Sequence, residues 1–295
     1  MQQSLSYYVV MGVVKLTGIK KRLSQAPVDI KKARKRDVNR VPKRVSRKFD
    51  LTTFKIIKTT ISSIQSKTPS DELLIFIHGG AFISGPTMLH WDAAKAICKA
   101  TNKTIWLCDY PKAPEHNILE MSKNIDAIYQ AALEKYPAQN IKLIGDSVGG
   151  TLVTALIQRL IQNNIALPKE IILVSPVMDA SMCNPDIDKV EPRDPMLSKP
   201  GVLSAKEFCA QSVSLTDPII APLYGNFEGF PKTKIFVGEN DIMYPDELLA
   251  IDKLRQANIN LEVVRGKNMP HIWPYLPIMK EATVALKQII KMLKA

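Results

Sequence analysis

The 295-residue sequence predicts an α/β fold, with a mostly parallel sheet of about eight strands and helices on both faces. Short apolar runs typical of buried strands alternate with stretches that carry apolar residues at three- and four-residue spacing. This alternation is typical of strand-helix-strand units, whose parallel sheets are covered on both sides. A serine between two glycines at one strand-to-helix junction indicates a candidate catalytic position on such a sheet.

The strand-like runs follow one another in a simple order. The first two predict an antiparallel hairpin, and the six that follow are short and apolar. Helical patterns fill most of the intervals between them. The predicted strands are FDLTTFKI at 49–56, KTTISSIQ at 58–65, LLIFIH at 73–78, TIWLCDY at 104–110, IKLIGD at 141–146, EIILVSP at 170–176, TKIFVG at 233–238 and LEVVRG at 261–266. The predicted helices are 89–101, 117–135, 150–163, 245–257 and 278–293.

The composition is that of an ordinary globular chain. With 46% hydrophobic and 23% charged residues, it can form one large core with a smaller appendage. The N-terminal apolar run is interrupted at Lys15, too early to span a bilayer, and the residues before it lack the basic start of a signal peptide. We therefore expect a cytoplasmic protein. The four cysteines are widely spaced without a zinc-binding pattern, so we expect reduced thiols and no metal.

The positive charge is concentrated at the N-terminus. Residues 1–48 hold 14 Lys or Arg and two acidic residues, which accounts for the whole net charge of +12. Such a segment can attract nucleic acid or an anionic membrane surface. It lacks interleaved aromatic residues and any nucleic-acid-binding fold signature, so we expect no nucleic acid as a partner. A solvated helical face and a weak contact with an anionic membrane are the two alternatives for this segment.

The stretch 145–149, Gly-Asp-Ser-Val-Gly, matches the G-x-S-x-G pattern of a nucleophilic serine on a sharp strand-to-helix turn. A glycine-rich structural turn could contain the same five residues. The predicted strand before Ser147 and the helical pattern after it supply the context that the catalytic turn needs. Gly145 and Gly149 fit this turn because the strand and helix backbones approach too closely there for side chains. Ser147 is therefore the predicted nucleophile.

A serine hydroxyl is a poor nucleophile at neutral pH and needs a general base, which in turn needs an orienting carboxylate. Among the four histidines, His271 is the predicted base. It follows the last predicted strand, in the region beyond the carboxyl ends where sites of open parallel sheets lie. It also comes last in the chain order serine, acid, histidine that this kind of site uses.

The orienting acid lies in the stretch that follows the strand at 233–238. Asp241 is the predicted acid because it falls in the loop three residues past Gly238. Glu239 is the alternative. Two further acids, Asp246 and Glu247, come after a proline and fit the first turn of a helix, where negative charge complements the helix dipole.

An oxyanion formed at a substrate carbonyl needs backbone N–H donors. One donor follows the nucleophile, here Val148, and the others come from a glycine-rich loop after an earlier strand. The sequence His-Gly-Gly-Ala-Phe at 78–82 occupies that position, so Gly79, Gly80 and Ala81 complete the predicted oxyanion hole. Alanine can replace a third glycine because the donor is the main-chain N–H, provided that its φ is allowed to a residue with a Cβ atom.

With these residues identified, the chain resembles the hormone-sensitive-lipase-like family of α/β-hydrolase esterases. Five motifs in order carry the likeness: HGGAFISG, DYPKAPEH, GDSVGG, DPIIAPLYG and VGENDIMYPDE. The resemblance implies an α/β-hydrolase fold with a helical cap. It departs from the family at Pro111 and Lys112, where Arg and Leu are usual, which puts a local salt bridge in doubt. It departs again at Val148, where Ala is common.

The resemblance also divides the chain into two parts. Residues 49–295 form the catalytic domain, and the basic segment 1–48 joins an insertion at about 180–218 to make the cap. The insertion is rich in Pro and Asp and long for a connection, as lids and binding loops often are.

Together the residues and the resemblance predict a serine carboxylic-ester hydrolase that acts through an acyl-enzyme on small to medium acyl esters, without metal or organic cofactor. An amidase or peptidase with the same triad is one alternative, which assays on matched ester and amide substrates would separate. A non-catalytic binding protein on the same fold is another, although such proteins usually lack a triad member. The oligomeric state and the physiological substrate are not predicted.

Two sets of apolar residues suggest how substrate size is controlled. Trp273 and Tyr275, beside the predicted base, predict an apolar wall of the substrate pocket, with packing in the core as the alternative.

The second set shares one face of a predicted N-terminal helix, at i, i+3, i+4 and i+7. We expect that face to pack on the catalytic domain as part of the cap, and a resting place on an anionic membrane is the alternative. Its members are Tyr7, Val10, Met11 and Val14.

Overall fold

A computed structural model describes residues 3–46 and 49–294. Residues 1, 2, 47 and 48 of the predicted N-terminal segment, and residue 295, lie outside this part of the chain. Eight strands within it form one sheet in the order β1-β2-β4-β3-β5-β6-β7-β8. β1 and β2 pair antiparallel, as do β2 and β4, and every pair from β4 to β8 is parallel. The prediction of a mostly parallel eight-stranded sheet is confirmed.

All eight predicted runs are strands, with ends that shift by a residue or two. The strands are β1 Asp50–Ile56, β2 Thr59–Gln65, β3 Leu73–Ile77, β4 Thr104–Asp109, β5 Ile141–Asp146, β6 Glu170–Val174, β7 Lys232–Gly238 and β8 Leu261–Gly266. The α-helices are α1 Leu5–Leu16, α2 Ile19–Arg22, α3 Ile30–Ala33, α4 Lys43–Ser46, α5 Met88–Thr101, α6 Ile118–Leu133, α7 Val148–Gln162, α8 Ile187–Val190, α9 Lys199–Ala210, α10 Tyr244–Gln256 and α11 Lys280–Lys294.

The sheet is buried on both faces. Along β3, Ile75 and Ile77 belong to one hydrophobic cluster, whereas Leu74 and Phe76 belong to a second cluster on the opposite face. The first cluster takes its helical side chains from α6, α7, α8, α9 and α10, and the second takes them from α1, α4, α5 and α11. Because successive side chains of a strand point to opposite faces, a strand covered on both sides is apolar throughout. This is why the central strands are short continuous apolar runs in the sequence.

The N-terminal segment packs on the rest of the chain at two places. Val10 and Met11 of α1 are buried in the cluster under α11. Further along, the ammonium group of Lys20 donates to the carbonyl oxygen of Asp194 at 2.8 Å, and the N–H of Val28 donates to Ser204 Oγ at 3.0 Å. The segment therefore reaches from the last helix to the insertion at 180–218.

The insertion at 180–218 contains two helices, α8 and α9. Helix α9 lies close to the N-terminal segment, since a Cβ atom added at Gly201 would come within 1.7 Å of the carbonyl oxygen of Leu23. Across the described residues, no helix is both long enough and apolar enough to cross a membrane.

Candidate active site

Ser147 lies on the sharp turn between β5 and α7, with φ of 53° and ψ of −125°. This backbone conformation is rare for a residue with a side chain and is retained where the surrounding structure enforces it. Close backbone packing next to this turn occurs at Gly149, where a Cβ atom would lie 2.1 Å from the carbonyl oxygen of Ile77. Strand β3 and helix α7 can therefore approach this closely only with glycine at that position.

His271 and Asp241 are joined by a hydrogen bond of 2.7 Å between Nδ1 and Oδ2. Both side chains are buried, Asp241 completely. The second carboxylate oxygen of Asp241 accepts from the N–H of Met243 at 3.0 Å, which fixes the carboxylate at the end of β7. A histidine that donates from Nδ1 has Nε2 available as an acceptor, which is the tautomer that a general base requires.

The other acids after β7 have different partners. Glu239, the alternative orienting acid, accepts from the N–H of Asn268 at 3.2 Å. Asp246 lies in the first turn of α10 and accepts from the amide of Asn184 at 2.8 Å. Glu247 lies in the same turn and is buried. Of the candidates that the sequence offered, Asp241 is the one hydrogen-bonded to His271.

The end of β6 contacts both the serine turn and the histidine loop. The N–H of Ser147 donates to the carbonyl oxygen of Val174 at 2.9 Å. The next residue, Ser175, accepts at its hydroxyl from the N–H of Ile272 at 3.0 Å. Two consecutive residues of one strand end therefore contact the turn of Ser147 and the loop of His271. Both loops lie at the carboxyl edge of the parallel sheet, where sites of this architecture form.

The electrostatic surroundings of His271 favour its protonated form. Burial alone would lower the pKa of the imidazole, but the negative charge of Asp241 and the hydrogen bond that the imidazole donates to that carboxylate raise it, with smaller contributions from Asp194 and Asp146. The net result is a pKa above the ordinary value of 6.5. An imidazole stabilised in this way readily accepts a proton from a neighbouring hydroxyl.

The loop after β3 brings backbone N–H groups beside Ser147. A Cβ atom at Gly79 would lie 2.8 Å from the Cβ atom of Ser147, so this part of the loop is in direct contact with the serine. Gly80 and Ala81 have φ of 125° and 54°, and the value at Ala81 lies in the left-handed region that a residue with a Cβ atom can occupy at a cost. Among the described residues, the N–H groups of Gly80, Ala81 and Val148 have no hydrogen-bond acceptor.

These free N–H groups define a positive region next to Ser147. Val148 is the first residue of α7, so its N–H is one of the unsatisfied donors at the positive end of that helix. Together with the donors of the glycine-rich loop, it can bind a developing negative charge on an oxygen atom.

A buried polar network supports the glycine-rich loop, and sequence reasoning gave its members no role. Asp146, next to the serine, lies with Oδ2 3.2 Å from His90 Nε2. His78 stacks on the ring of Tyr110 with centroids 4.5 Å apart, and the Tyr110 hydroxyl donates to the carbonyl oxygen of His78 at 2.8 Å. A sequence signal existed, since His78 and Tyr110 both belong to motifs of the family resemblance, but their contact joins two separate strands.

Arg34 of the N-terminal segment ties two loops of the site together. Its guanidinium donates to the carbonyl oxygens of Ile83 and Ala113, each at 2.8 Å, and forms an ion pair with Glu115 at 2.6 Å. Ile83 follows the glycine-rich loop, and the other two residues belong to the DYPKAPEH stretch. The departure at Pro111 put a salt bridge in this stretch in doubt, and the structure supplies an ion pair there from a distant part of the chain.

Asp194 is a second buried carboxylate near the histidine that the sequence did not reveal. One of its oxygens accepts from the N–H of Ile242 at 2.9 Å, and the other accepts from Met196 and Leu197. Burial, followed by the charge of Asp241, raises its pKa to about 6. The insertion at 180–218 is thereby linked to the loop that carries Asp241.

Trp273 and Tyr275 lie in the hydrophobic cluster under α11, on the face of the sheet opposite the cluster that contains Val148. Their rings are 6.4 Å from that of Phe236 and 5.9 Å from that of Phe76, respectively, measured between centroids. This arrangement favours the core-packing alternative for both residues over a role as a pocket wall.

With the geometry established, comparison with known proteins identifies the family. A family model described as the alpha/beta hydrolase fold matches residues 74–274, which include Ser147, Asp241 and His271. The chain belongs to this α/β-hydrolase family.

Individual relatives and solved structures agree with this membership. The chain is 30% identical over 200 residues to an esterase of Acinetobacter venetianus, covering 67% of this chain and 66% of that protein. It is 25% identical over 183 residues to a triacylglycerol lipase of Mycobacterium tuberculosis, covering 62% of this chain and 37% of that protein. The alignments thus span less than two thirds of either relative.

Two crystal structures extend the likeness to the whole fold. A candidate esterase from Staphylococcus aureus superposes with a TM-score of 0.83 at 29% identity, over 88% of both chains. An esterase from the bacterial hormone-sensitive lipase family superposes with a TM-score of 0.86 at 21% identity, over 100% of this chain and 99% of that one. The α/β-hydrolase fold expected from the resemblance is therefore confirmed.

Proposed function

We propose that the protein is a serine carboxylic-ester hydrolase that acts through an acyl-enzyme on small to medium acyl esters. The observation that carries this proposal is the hydrogen bond between His271 and Asp241, in a loop held by the same strand end as the strained turn of Ser147. Relatives named as an esterase, a triacylglycerol lipase and an acetyl-hydrolase support a carboxylic ester as the substrate class.

The first half of the reaction makes the acyl-enzyme. His271 takes the proton of the Ser147 hydroxyl as the serine oxygen attacks the ester carbonyl, and Asp241 stabilises the imidazolium that forms. The carbonyl oxygen becomes an oxyanion, which the N–H groups of Gly80, Ala81 and Val148 bind, with Gly79 holding the loop against the serine. His271 then returns its proton to the alkoxide that leaves, so an alcohol departs and the acyl group stays on Ser147.

The second half repeats these steps with water. His271 removes a proton from the water molecule that attacks the acyl carbon, and the same N–H groups bind the second oxyanion. Collapse of this intermediate breaks the bond to the serine oxygen, which recovers its proton from His271. The products are a carboxylic acid, an alcohol and the free enzyme.

We further propose that segment 1–48 and the insertion at 180–218 form the cap of this site. The support comes from contacts between them, at Lys20 with Asp194, and from the hydrogen bond that links Asp194 to the loop of Asp241. Ser147 and His271 are 8% and 5% exposed, as expected of a site beneath a cover.

The test combines turnover with covalent labelling. Purified wild-type protein and the Ser147→Ala variant are assayed on p-nitrophenyl esters of increasing acyl length and on matched p-nitroanilides. Both are also treated with a fluorophosphonate, and the modified peptide is located by mass spectrometry. Ser212→Ala, at a solvent-exposed serine of the insertion that the mechanism does not use, is the matched control.

We expect the wild type to hydrolyse the esters. Ser147→Ala should lower this turnover by about 10⁶-fold, and Ser212→Ala should leave it unchanged. Labelling should fall on Ser147 and disappear in its variant. Faster cleavage of the anilides would make the protein an amidase. A folded Ser147→Ala variant with the turnover of the wild type would refute the nucleophile, and a wild type that neither turns over esters nor labels would refute the hydrolase.

A further inference from the structure

Helix α1 is apolar on two opposite faces. Its inward face packs on the body of the protein, where Val10 and Met11 are buried and the hydroxyl of Tyr7 donates to the carbonyl oxygen of Asn268 at 3.0 Å. This contact accounts for the face that the sequence predicted to be buried. It does not account for the apolar residues on the other side.

The outward face carries a row of large apolar side chains in solvent. They are spaced at i, i+3, i+4, i+8 and i+11, so they line one side of the helix. Single exposed apolar residues are common on protein surfaces, whereas a contiguous row on one helix marks a surface that contacts something else. We call this row the outer stripe: Leu5 at 85% exposure, Tyr8 at 55%, Val9 at 61%, Val13 at 55% and Leu16 at 89%.

Over residues 3–28, which carry the outer stripe, the charges have one sign, and the carboxylate of Glu281 accepts from Ser4 at the start of this stretch. Between residues 3 and 28 the sequence contains no Asp or Glu, and Lys15, Lys21 and Arg22 are exposed at the end of α1 and in α2. The following stretch 31–36 adds further exposed basic residues. An apolar row flanked by basic side chains complements a surface that is apolar inside and negatively charged outside.

We propose that the outer stripe and the basic residues that follow it form a docking surface for an anionic lipid bilayer. With 12 residues, α1 is about 18 Å long, shorter than the hydrocarbon core of about 30 Å, so it would lie in the plane of the interface. The aliphatic side chains of Leu5 and Leu16 enter the boundary between headgroups and acyl chains. Tyr8 suits the same depth because its ring is apolar and its hydroxyl reaches water.

A bilayer explains the surface better than a second copy of the chain. Two copies joined along the outer stripe would bring two basic segments together, and their mutual repulsion opposes that contact. Anionic lipid headgroups instead attract the same side chains. This proposal does not depend on the proposed hydrolase activity, because it concerns binding alone.

The experiment measures binding of the full-length protein to vesicles by co-sedimentation. Vesicles of equimolar phosphatidylglycerol and phosphatidylcholine are compared with vesicles of phosphatidylcholine alone, each at low and high salt. The test variant is Leu5→Gln/Leu16→Gln. Leu119→Gln/Leu249→Gln, at two exposed leucines of α6 and α10, is the matched control. Leucine and glutamine have similar helix propensities, so both variants should keep the fold, which circular dichroism checks.

Wild type and the control variant should bind the anionic vesicles, and binding should weaken at high salt and on neutral vesicles. The Leu5→Gln/Leu16→Gln variant should bind about tenfold or more weakly, since two buried leucines leave the interface. Equal binding by both double variants would overturn the role of the outer stripe. Absence of wild-type binding at low salt would overturn the proposal, as would a wild-type dimer in sedimentation equilibrium that only Leu5→Gln/Leu16→Gln dissociates.

Discussion

Asp194 accepts a hydrogen bond of 2.9 Å from the backbone N–H of Ile242, the residue that follows Asp241. A carboxylate of the insertion thereby holds the loop of Asp241, and its charge also acts on His271. Three buried carboxylates, those of Asp241, Asp194 and Asp146, favour the protonated histidine. The consequence can be measured as the pH dependence of the reaction.

We expect Asp194→Asn to move the acidic limb of kcat/KM to lower pH. The limb reports protonation of His271, whose pKa is raised by Asp241, Asp194 and Asp146, so removal of one negative charge lowers it. Asparagine retains one oxygen that can accept from the N–H of Ile242, but its NH2 group cannot accept from Met196 and Leu197, so circular dichroism checks that the variant keeps its fold. Profiles of p-nitrophenyl ester hydrolysis against pH test this expectation.

Asp246→Asn serves as the matched control for this pH profile. Asp246 is also a buried carboxylate whose pKa is raised to about 6, mainly by burial, whereas the carboxylates that raise the pKa of His271 are chiefly Asp241, Asp194 and Asp146. Its replacement should leave the pH of the acidic limb of kcat/KM unchanged. A limb that stays unchanged in Asp194→Asn, or that moves equally in both variants, would contradict a specific effect of Asp194.

Asp241→Asn should lower kcat by about 10⁴-fold. An amide at this position can donate to Nδ1 and so favours the tautomer with its proton on Nε2, which cannot accept the serine proton. Steady-state kinetics on a short p-nitrophenyl ester give the measurement. Asp246→Asn and Glu239→Gln change the acids on either side of Asp241 and should lower kcat only slightly. A larger loss in either of them than in Asp241→Asn would reassign the orienting acid.

The strands could be predicted from the sequence because their signal is local. Each of the eight is a short apolar or alternating run, and the two-sided burial of the central strands makes the run continuous. The serine turn was predictable for the same reason, since the pattern around Ser147 lies between one strand and one helix. Asp241 and His271 followed from chain order and from their position past strand ends.

Helix α9 had no such local signal. Its sequence, KPGVLSAKEFCA, begins with a proline and a glycine after a stretch rich in Pro and Asp. Proline is tolerated in the first turn of a helix, and Gly201 is there because the backbone of Leu23 lies against it. The helix is stabilised by packing on a segment about 180 residues earlier in the chain, which periodicity cannot reveal.

The contacts of Arg34 and Asp194 were missed for a related reason. Arg34 pairs with a residue 81 positions away, and Asp194 with one 48 positions away. A basic residue within a basic run and an aspartate within a Pro-rich loop are ordinary surface residues by sequence. Only the fold brings each of them to two loops of the site.

Arg34→Met should lower kcat by about tenfold and reduce the free energy of unfolding by about 1 to 3 kcal/mol. The change leaves the carbonyl oxygens of Ile83 and Ala113 without their donor, so the glycine-rich loop loses a restraint. Turnover and urea denaturation measure the two effects. Lys35→Met, at the exposed neighbouring residue, controls for the loss of positive charge.

The conservative variant Arg34→Lys separates positioning from charge. Lysine keeps the positive charge near Glu115, but it does not present the planar fork of donors that reaches two carbonyl oxygens at once. We therefore expect Arg34→Lys to restore little of the lost turnover. Full turnover in the lysine variant would mean that charge alone is required, and full turnover in Arg34→Met would mean that the loop needs no restraint from this side chain.

Trp273→Ala should reduce the free energy of unfolding by about 3 to 5 kcal/mol without changing the preference for acyl length. The indole is 5% exposed and packs with Phe236 in the cluster under α11, so its removal leaves a cavity in the core. Because Trp273 lies two residues from His271, absolute rates can fall with stability. The readout is therefore the ratio of kcat/KM values across p-nitrophenyl esters, measured together with urea denaturation.

Tyr275→Phe completes this prediction because it changes only the hydroxyl. Within the described part of the chain, that hydroxyl is buried and has no hydrogen-bond partner, so its removal should be neutral or slightly stabilising. A pocket wall would behave differently, since loss of the indole would enlarge the site and shift the preference toward bulkier esters. If Trp273→Ala keeps the stability of the wild type and changes the preference for acyl length, these aromatic residues line the substrate pocket.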